Sequence, residues 1–572
     1  MTTLVVPGVR VEARFDVLPP LPAPSGILGA VGIVDRIPPG DSLVGVTKVS
    51  ELREVFGPGV EASMPEVAMA LANGVSEAVI SPVAGGSPAS LVLANNSDSK
   101  NAAILRCRSN GEWGNELAAE IRETRVGKDI VRVSLKLYRS GKLVESFDDL
   151  QFDERNPDYF FDTINRRSRY VVALDPVFET ATFDFKTPAK PNAATPVHVD
   201  VVAAGVDVAD RAGTKVFTLL PAEGIDVTGL SVDILNESSK TNFGLDISQN
   251  GLQESFRNLT LDPDSDDYLP DALITQSRFV RVRPINPLSG QAKVPRGIPV
   301  TPFTGGESPS VDDYGKAIER LSEDTRIDLV LASIEPKRTA ADVQQIHQAL
   351  LSHAVTSADA GAPRIAFGSI TAEEAKEVKL IKDHASHVRN RRFVLVAPPH
   401  AEGAVAGMIG RMNPQDAPTY KTVPLFDIEP ARFSESKLNI LLGSTVNLLV
   451  VQNREGRGVI VLKGIDTTGD QISVTRVADA AIRETKAISE NFIGQLNSDD
   501  ARVALRQQLI STFIRMERQG AIVPSTDGKD PSFMVDVYST QQDFAQGIVN
   551  VAIAVRPVRS IDYIYATIRV KN

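Results

Sequence analysis

From residue 311 to 397, helical periodicity alternates with short apolar runs that contain no polar position. The helical stretches are 311–322, 340–354 and 372–385, and the runs are 329–332, 365–367 and 393–397. A strand with no polar face has nothing to offer water, so it must be covered on both sides. Strands separated by helices run parallel. A partly parallel sheet flanked by helices is therefore predicted. The same pattern opens the chain body, with an apolar run at 27–34, helices at 50–56 and 64–72, and a strand at 78–83. Gly57-Pro58 and Asn73-Gly74 stop those two helices. Between the two halves lie strand-like 130–138 and 169–174 with helix-like 158–165. From 183 to 300 the composition shifts to Thr, Val, Asp, Pro and Gly with short alternating runs such as Val197-His198-Val199-Asp200-Val201. The fold class expected is mixed α/β and α+β in several domains. The expected units are a 1–24 extended arm, an α/β core of 25–100 with 301–400, an α+β segment 101–182, a β-rich inserted outer domain 183–300, and a C-terminal α+β domain 401–572. Three to four domains also suit 572 residues at about 150 per domain.

Both ends carry patterned strands. Val9, Val11, Ala13 and Phe15 alternate with Arg10, Glu12 and Arg14, and Pro19, Pro20, Pro22 and Pro24 follow at once. Prolines end the strand and stiffen the connection, so the segment reads as an arm held away from its own domain. The last third predicts helices at 477–492 and 499–519, the second stopped by Gly520. Strands follow at 533–538, 549–555 and 561–570.

Searching the chain for chemistry returns little. The 61 Lys+Arg against 72 Asp+Glu leave a net charge of −11, which disfavours direct nucleic-acid binding. No apolar stretch reaches membrane-spanning length, since 438–451 is interrupted by Asn439, Ser444, Thr445 and Asn447. No membrane insertion is expected. The N-terminus has no basic, then apolar, leader pattern, so the chain is expected to be made and first folded in a cytoplasm. Phosphate-loop, nucleophile-elbow and zinc-protease motifs are missing. His384 and His387 have a spacing that could place two imidazoles on one metal, but such sites need three or four ligands. The run Asp262-Pro263-Asp264-Ser265-Asp266-Asp267 lacks the glutamate that a calcium loop needs at its twelfth position, where Leu273 stands. Gly403, Gly407 and Gly410 read as close packing, and Cys107 as a buried small hydrophobe. No catalytic residue, cofactor or metal is assigned, and an enzyme is not expected.

Several motifs together resemble one family. These are Pro7-Gly8-Val9-Arg10-Val11, Ser25 to Gly32, Ser50-Glu51-Leu52 to Phe56-Gly57, and Gly111-Glu112-Trp113-Gly114-Asn115-Glu116-Leu117, which holds the single Trp. Val144-Glu145-Ser146-Phe147, Ile164-Asn165-Arg166-Arg167-Ser168, Phe303-Thr304-Gly305-Gly306, Pro398-Pro399 to Gly407 and Arg411, and Leu438-Asn439 with Val446-Asn447 continue the series. Phe492-Ile493-Gly494, Gly520-Ala521-Ile522, Val555-Arg556-Pro557-Val558 and Ile561-Asp562-Tyr563-Ile564 close it. The set resembles the sheath proteins of contractile phage tails and related contractile injection systems. The chain departs from that pattern at Lys463-Gly464-Ile465-Asp466, and 183–300 matches no motif of the family.

The resemblance implies a structural and mechanical protein. Copies of the chain would form hexameric rings stacked as a helical cylinder around an inner tail tube, ending at baseplate and terminator proteins, and contraction would drive the tube through a cell envelope. Assembly would take place in a host bacterial cytoplasm, and the product would be a virion tail or injection particle. Exchanged strands are expected to join subunits. Val9, Val11, Ala13 and Phe15 would be donated at one end and Ile564, Ile568 and Val570 at the other, to a hairpin carrying Val535, Val537, Val551 and Ile553. A polar, salt-sensitive grip on the tube is expected from Arg483, Glu484, Lys486 and Glu490, with Arg502 and Arg506 as second choice. The alternatives are a passive polymer of tube or surface-layer type, or an α/β enzyme.

Overall fold

Six apolar runs form consecutive parallel strands of one sheet in the computed structural model, which describes residues 26–37, 43–95, 101–176, 197–209, 214–236, 242–263, 265, 267–285 and 293–562. The sheet contains β1 (Ile27–Gly32), β2 (Val44–Val46), β3 (Glu77–Pro82), β4 (Leu329–Ala332), β5 (Ile365–Ser369), β6 (Phe393–Ala397), β7 (Leu449–Arg454) and β8 (Gly458–Val461). Their order is β2-β3-β1-β4-β5-β6-β7-β8, with only the edge strands β2 and β8 antiparallel. Helices cover both faces, as continuous apolar strands require. One face carries α1 (Val49–Phe56), α2 (Pro65–Asn73) and α6 (Glu402–Gly410). The other carries α3 (Val311–Arg320), α4 (Ala340–Asp359), α5 (Val378–His387) and α7 (Glu435–Leu441). The helix starts are chemically marked. Ser310 and Asp313 form a reciprocal capping box on α3, and the Thr339 hydroxyl accepts from Asp342 N on α4.

The core does not end at residue 400. Leu449 and Val450 pair with Val396 and Ala397, so β7 and β8 belong to the sheet and the boundary expected there falls inside the domain. The glycine spacing on α6 has the packing origin expected of it. A Cβ on Gly403 would lie 2.0 Å from Glu66 O and one on Gly407 2.5 Å from Ala70 O, so α6 rests directly on the α2 backbone. Cys107 is buried as expected, and burial pushes its thiol up to about 12.

The segments 90–176 and 197–285 are two copies of one unit, a relation that composition alone hides. In each, a three-stranded sheet accompanies a four-stranded one, whose fourth strand in the first copy comes from outside the segment, and a short helix precedes the last strand of the three. Glu145-Ser146-Phe147, Leu150, Asp153, Asp158-Tyr159, Asp162, Ser168-Arg169 and Val171 recur 109 positions later as Glu254-Ser255-Phe256, Leu259, Asp262, Asp267-Tyr268, Asp271, Ser277-Arg278 and Val280. The bonding recurs too. Ser168 Oγ donates to Glu145 Oε2 at 2.6 Å, and Ser277 Oγ donates to Glu254 Oε2 at 2.7 Å. Each serine also accepts from the backbone N–H groups of the next strand, at Val171 and Val280. Asp149 and Asn258, at φ 59° and 58°, mark the same left-handed turn. The stretch expected to be β-rich also contains a helix, Leu269–Gln276, because it repeats the unit before it. Strand Ile298–Pro302 then returns to the first copy and pairs with its strand Leu117–Val126.

Two motifs far apart in sequence meet at one point of the first copy. Asn115 Nδ2 donates to Gly306 O at 2.9 Å, and Gly306 N donates to Asn115 Oδ1 at 3.0 Å. Trp113 Nε1 donates to Asn110 O at 3.1 Å. The Gly-x-Trp-Gly-Asn turn and the Phe-Thr-Gly-Gly turn are therefore halves of one backbone clasp.

His384 and His387 do not converge. His384 is buried on α5, with Nδ1 3.0 Å from Glu374 Oε2 and Nε2 2.9 Å from His347 Nδ1, whereas His387 is exposed and bonds Asp383 O of its own helix. Burial, helped by the charge of His384, holds the His347 imidazole well below its ordinary pKa. Burial and the adjacent Arg364 guanidinium lower His353 to about 4.

Two expectations follow from these groups. Ser277→Ala removes a side-chain bond to the buried Glu254 and Ser168→Ala one to the half-buried Glu145, so each should cost its own unit about 1–3 kcal/mol in denaturant unfolding, Ser277→Ala at least as much as Ser168→Ala. His353 folds neutral while the unfolded imidazole titrates near 6.5. Its contribution is complete above about pH 6.5 and lost as pH falls toward about 4. The urea midpoint of the wild type should drop across that window. His353→Gln, which keeps an acceptor for Arg364, should flatten part of the drop.

Candidate functional site: the C-terminal assembly surface

Beyond the sheet, α8 (Ile472–Glu490), α9 (Asp499–Arg518), β9 (Phe533–Tyr538) and β10 (Asn550–Val555) share one apolar core. Val477, Ala481 and Ile488 of α8 meet Leu505, Leu509 and Phe513 of α9 at helical spacing. β9 and β10 pair antiparallel from Phe533↔Val555 to Tyr538↔Asn550 and turn Phe533, Val535, Val537, Val551, Ile553 and Val555 toward α9. Their other side shows Met534, Asp536, Tyr538, Ala552 and Ala554 to solvent.

This hairpin is a two-stranded sheet, and among the described residues neither of its outer edges has a strand partner. Unpaired backbone N–H and C=O groups along an edge template another strand. Packing on α9 supports two strands that would be marginal in isolation. The hairpin therefore offers two places for added strands. Val535, Val537, Val551 and Ile553 lie on its covered side, where an added strand would extend the apolar face. The proposed donors Val9, Val11, Ala13, Phe15, Ile564, Ile568 and Val570 lie outside the described residues.

The charges expected on an outer helix face divide into two groups. Arg483 points inward. Its NH1 donates to Thr325 O at 2.9 Å, and its NH2 donates to Ile327 O at 2.5 Å and Pro363 O at 2.7 Å, the carbonyls just ahead of β4 and β5. Asp479 receives both ends of Arg392 at 3.0 Å each, and Arg476 donates to Met412 O and Asn413 O at 3.0 Å. These three residues form an i, i+3, i+7 stripe that bolts α8 to the amino edge of the sheet. Glu484 is held by Arg515 at 3.1 Å and is nearly covered. Arg483 and Glu484 are thus internal struts, contrary to the expectation of an outward grip. Arg502 is engaged with Asn497 and Asp499, and Lys486 is half-buried beside Gly361. Glu490 and Arg506 remain exposed, Arg506 resting its Nε on Val535 O at 3.2 Å.

What sequence reasoning missed is apolar. Ile493 and Leu496, in the loop between α8 and α9, are 80% and 86% exposed, and Val503 on α9 is 53% exposed. The available signal was two aliphatic residues in a turn beside Gly494 and Asn497, where neither helix could bury them. No described helix is long and apolar enough to cross a membrane.

Residues 466–571 match the family model of the phage tail sheath C-terminal domain. The resemblance read from the sequence is therefore met independently over the region that contains α8, α9 and the hairpin. No curated protein matches the chain. Among solved structures, a sheath tail protein from Desulfitobacterium hafniense aligns over 96% of this chain and 100% of its own, with 11% identity and a TM-score of 0.44. The sheath tail protein Lin1278 from Listeria innocua aligns over 94% and 93%, with 10% identity and a TM-score of 0.43. The contracted helical sheath of the anti-feeding prophage aligns over 46% of this chain and 76% of its own, with 17% identity and a TM-score of 0.37.

Arg483→Ala should uncap the Ile327 and Pro363 carbonyls and lower stability by about 2–3 kcal/mol in chemical denaturation. Glu490→Ala should change it by less than about 0.5 kcal/mol. Equal, small effects of both would return Arg483 to the outer face.

Proposed function

We propose that this chain is the subunit of a contractile tail sheath, stacked as hexameric rings around an inner tube and bounded by baseplate and terminator proteins. The observation that carries the reading is the hairpin with two unpaired edges, set in the region that matches the phage tail sheath C-terminal domain. One edge would take the alternating N-terminal segment of a neighbour, and the other a C-terminal segment. Backbone bonds would hold the joint while alternate side chains select the register. About 15 linker residues extended reach roughly 50 Å, so bodies could rotate during contraction while the strand joints stay closed. The work would come from body surfaces better paired in the contracted state, with the difference stored at assembly. No nucleotide site is needed for this, and the chain carries no phosphate-loop motif.

For the tube contact, we place the grip on the exposed residues Ile493, Leu496, Val503, Arg506 and Glu490 in preference to Arg483 and Glu484. A patch of three aliphatic side chains with two charges is small enough to release.

Electron microscopy of negatively stained, purified protein tests the reading. Helically ridged cylinders are expected from the full chain, and discrete soluble particles from a chain lacking residues 1–18. Normal cylinders from the truncated chain would remove the arm from the joint. A discrete oligomer from the full chain at every concentration would overturn the sheath reading.

A further inference from the structure

The sheet has a second feature at its carboxyl edge. From β1 the chain moves to β3 on one side and later returns to β4 on the other, so connections on either side of the β1/β4 pair diverge. In open parallel sheets the crevice beyond the carboxyl ends at such a reversal is where ligands sit. Here that place holds a cavity of about 220 Å³ whose walls include Ile33, Met69, Ile334, Phe426, Glu66 and His400.

Glu66, His400 and Glu402 meet at this end of the sheet, each offering one ligand atom within 4.8 Å of the others. Both carboxylates are buried, Glu66 at 1% and Glu402 at 3% exposure. The close seat of Gly403 on the Glu66 carbonyl forces the first turns of α2 and α6 together, and with them the two acids. Glu66 is well served, since Oε1 lies 2.6 Å from His400 Nδ1 and Oε2 accepts from Ser333 Oγ. Glu402 is less so: Ser369 bonds its side chain, but its Oε2 is buried with no hydrogen-bond partner. A buried carboxylate oxygen left unpartnered beside a second carboxylate is costly unless the group takes up a proton or a cation shares the site.

We propose that Glu66, His400 and Glu402 bind a divalent first-row transition cation, with Zn²⁺ as the type. Two carboxylates and one neutral imidazole would balance its charge. A mixed oxygen and nitrogen set suits such ions better than Mg²⁺ or Ca²⁺, which favour all-oxygen cages. Three protein ligands leave a fourth position open, and the cavity provides its path to solvent. The supports are in place. Ser333 holds Glu66, while Ser369 Oγ accepts from His400 N at 2.9 Å and fixes that residue in its left-handed conformation, φ 65°. The inference is independent of the sheath reading, since it concerns one folded chain.

The full-length protein, stripped with a chelator and dialysed, is titrated with ZnCl₂ by calorimetry and with CoCl₂ by visible absorption. One equivalent per chain is expected, with a cobalt ligand-field band and a raised melting temperature. MgCl₂ should compete weakly. Glu402→Gln and His400→Ala should each weaken zinc binding by at least about tenfold and remove the cobalt band, while circular dichroism confirms the fold. Absence of saturable, stoichiometric zinc binding by the wild type would show a hydrogen-bonded cluster only and overturn the proposal, whatever the variants do. Undiminished binding by both folded variants would also overturn it, assigning the zinc to surface groups.

Discussion

The docking of α8 on the amino edge of the parallel sheet is the contact on which the arrangement of the two functional ends depends. Arg364 and Arg392 stand immediately before β5 and β6, and Asp328 immediately before β4, so the strand starts present a row of charges. Asp328 accepts from Gly26 N at 2.9 Å and Ile27 N at 2.8 Å, tying the start of β1 to β4. Arg476, Asp479 and Arg483 of α8 close over this row. Buried charges of both signs are tolerable only when paired and bonded, and here Arg392 with Asp479 and Arg483 with three carbonyls satisfy most of them. The same pairing makes the seam directional. A register error of one helical turn would bury each charge against the wrong partner, so the seam orients the C-terminal domain as well as holding it.

The parts of the fold legible in the sequence were those where burial alone sets the pattern. β4, β5 and β6 are fully covered, and so they appear as unbroken apolar runs bounded by helices. The hairpin was equally legible, because one covered side produces strict alternation. The duplicated unit was not. Its strands share little beyond hydrophobic character, which many sequences satisfy, whereas the conserved points are a Glu, a Ser and turn residues whose joint role appears only when Glu145 meets Ser168 and Glu254 meets Ser277. α8 misled for a related reason. Charges at i, i+3 and i+7 read as a solvated face unless the partner surface is known to carry carbonyls and opposite charges. The cluster at Glu66 was out of reach, since Glu66 and His400 stand 334 positions apart and no local spacing links them.

These elements divide the labour of the chain between opposite edges of one sheet. At the amino edge, α8 passes the orientation of the core to a domain whose hairpin edges have no strand partner among the described residues. At the carboxyl edge, α2 and His400 line the cavity, and the close seat of Gly403 sets Glu402 beside Glu66. A parallel sheet is stiff because it is packed on both faces, so a change at one edge can reach the other through rigid displacement of its strands. That places a constraint on any coupling between the cavity and the assembly surface. Asp328 and Ser333 bracket β4, one bonded to the start of β1 and the other to Glu66. β5 spans the same distance, with Pro363 O ahead of it accepting from Arg483 and Ser369 at its end accepting from His400 N, so a shift along β4 or β5 is a short physical route by which occupancy of the cavity could alter the seat of α8.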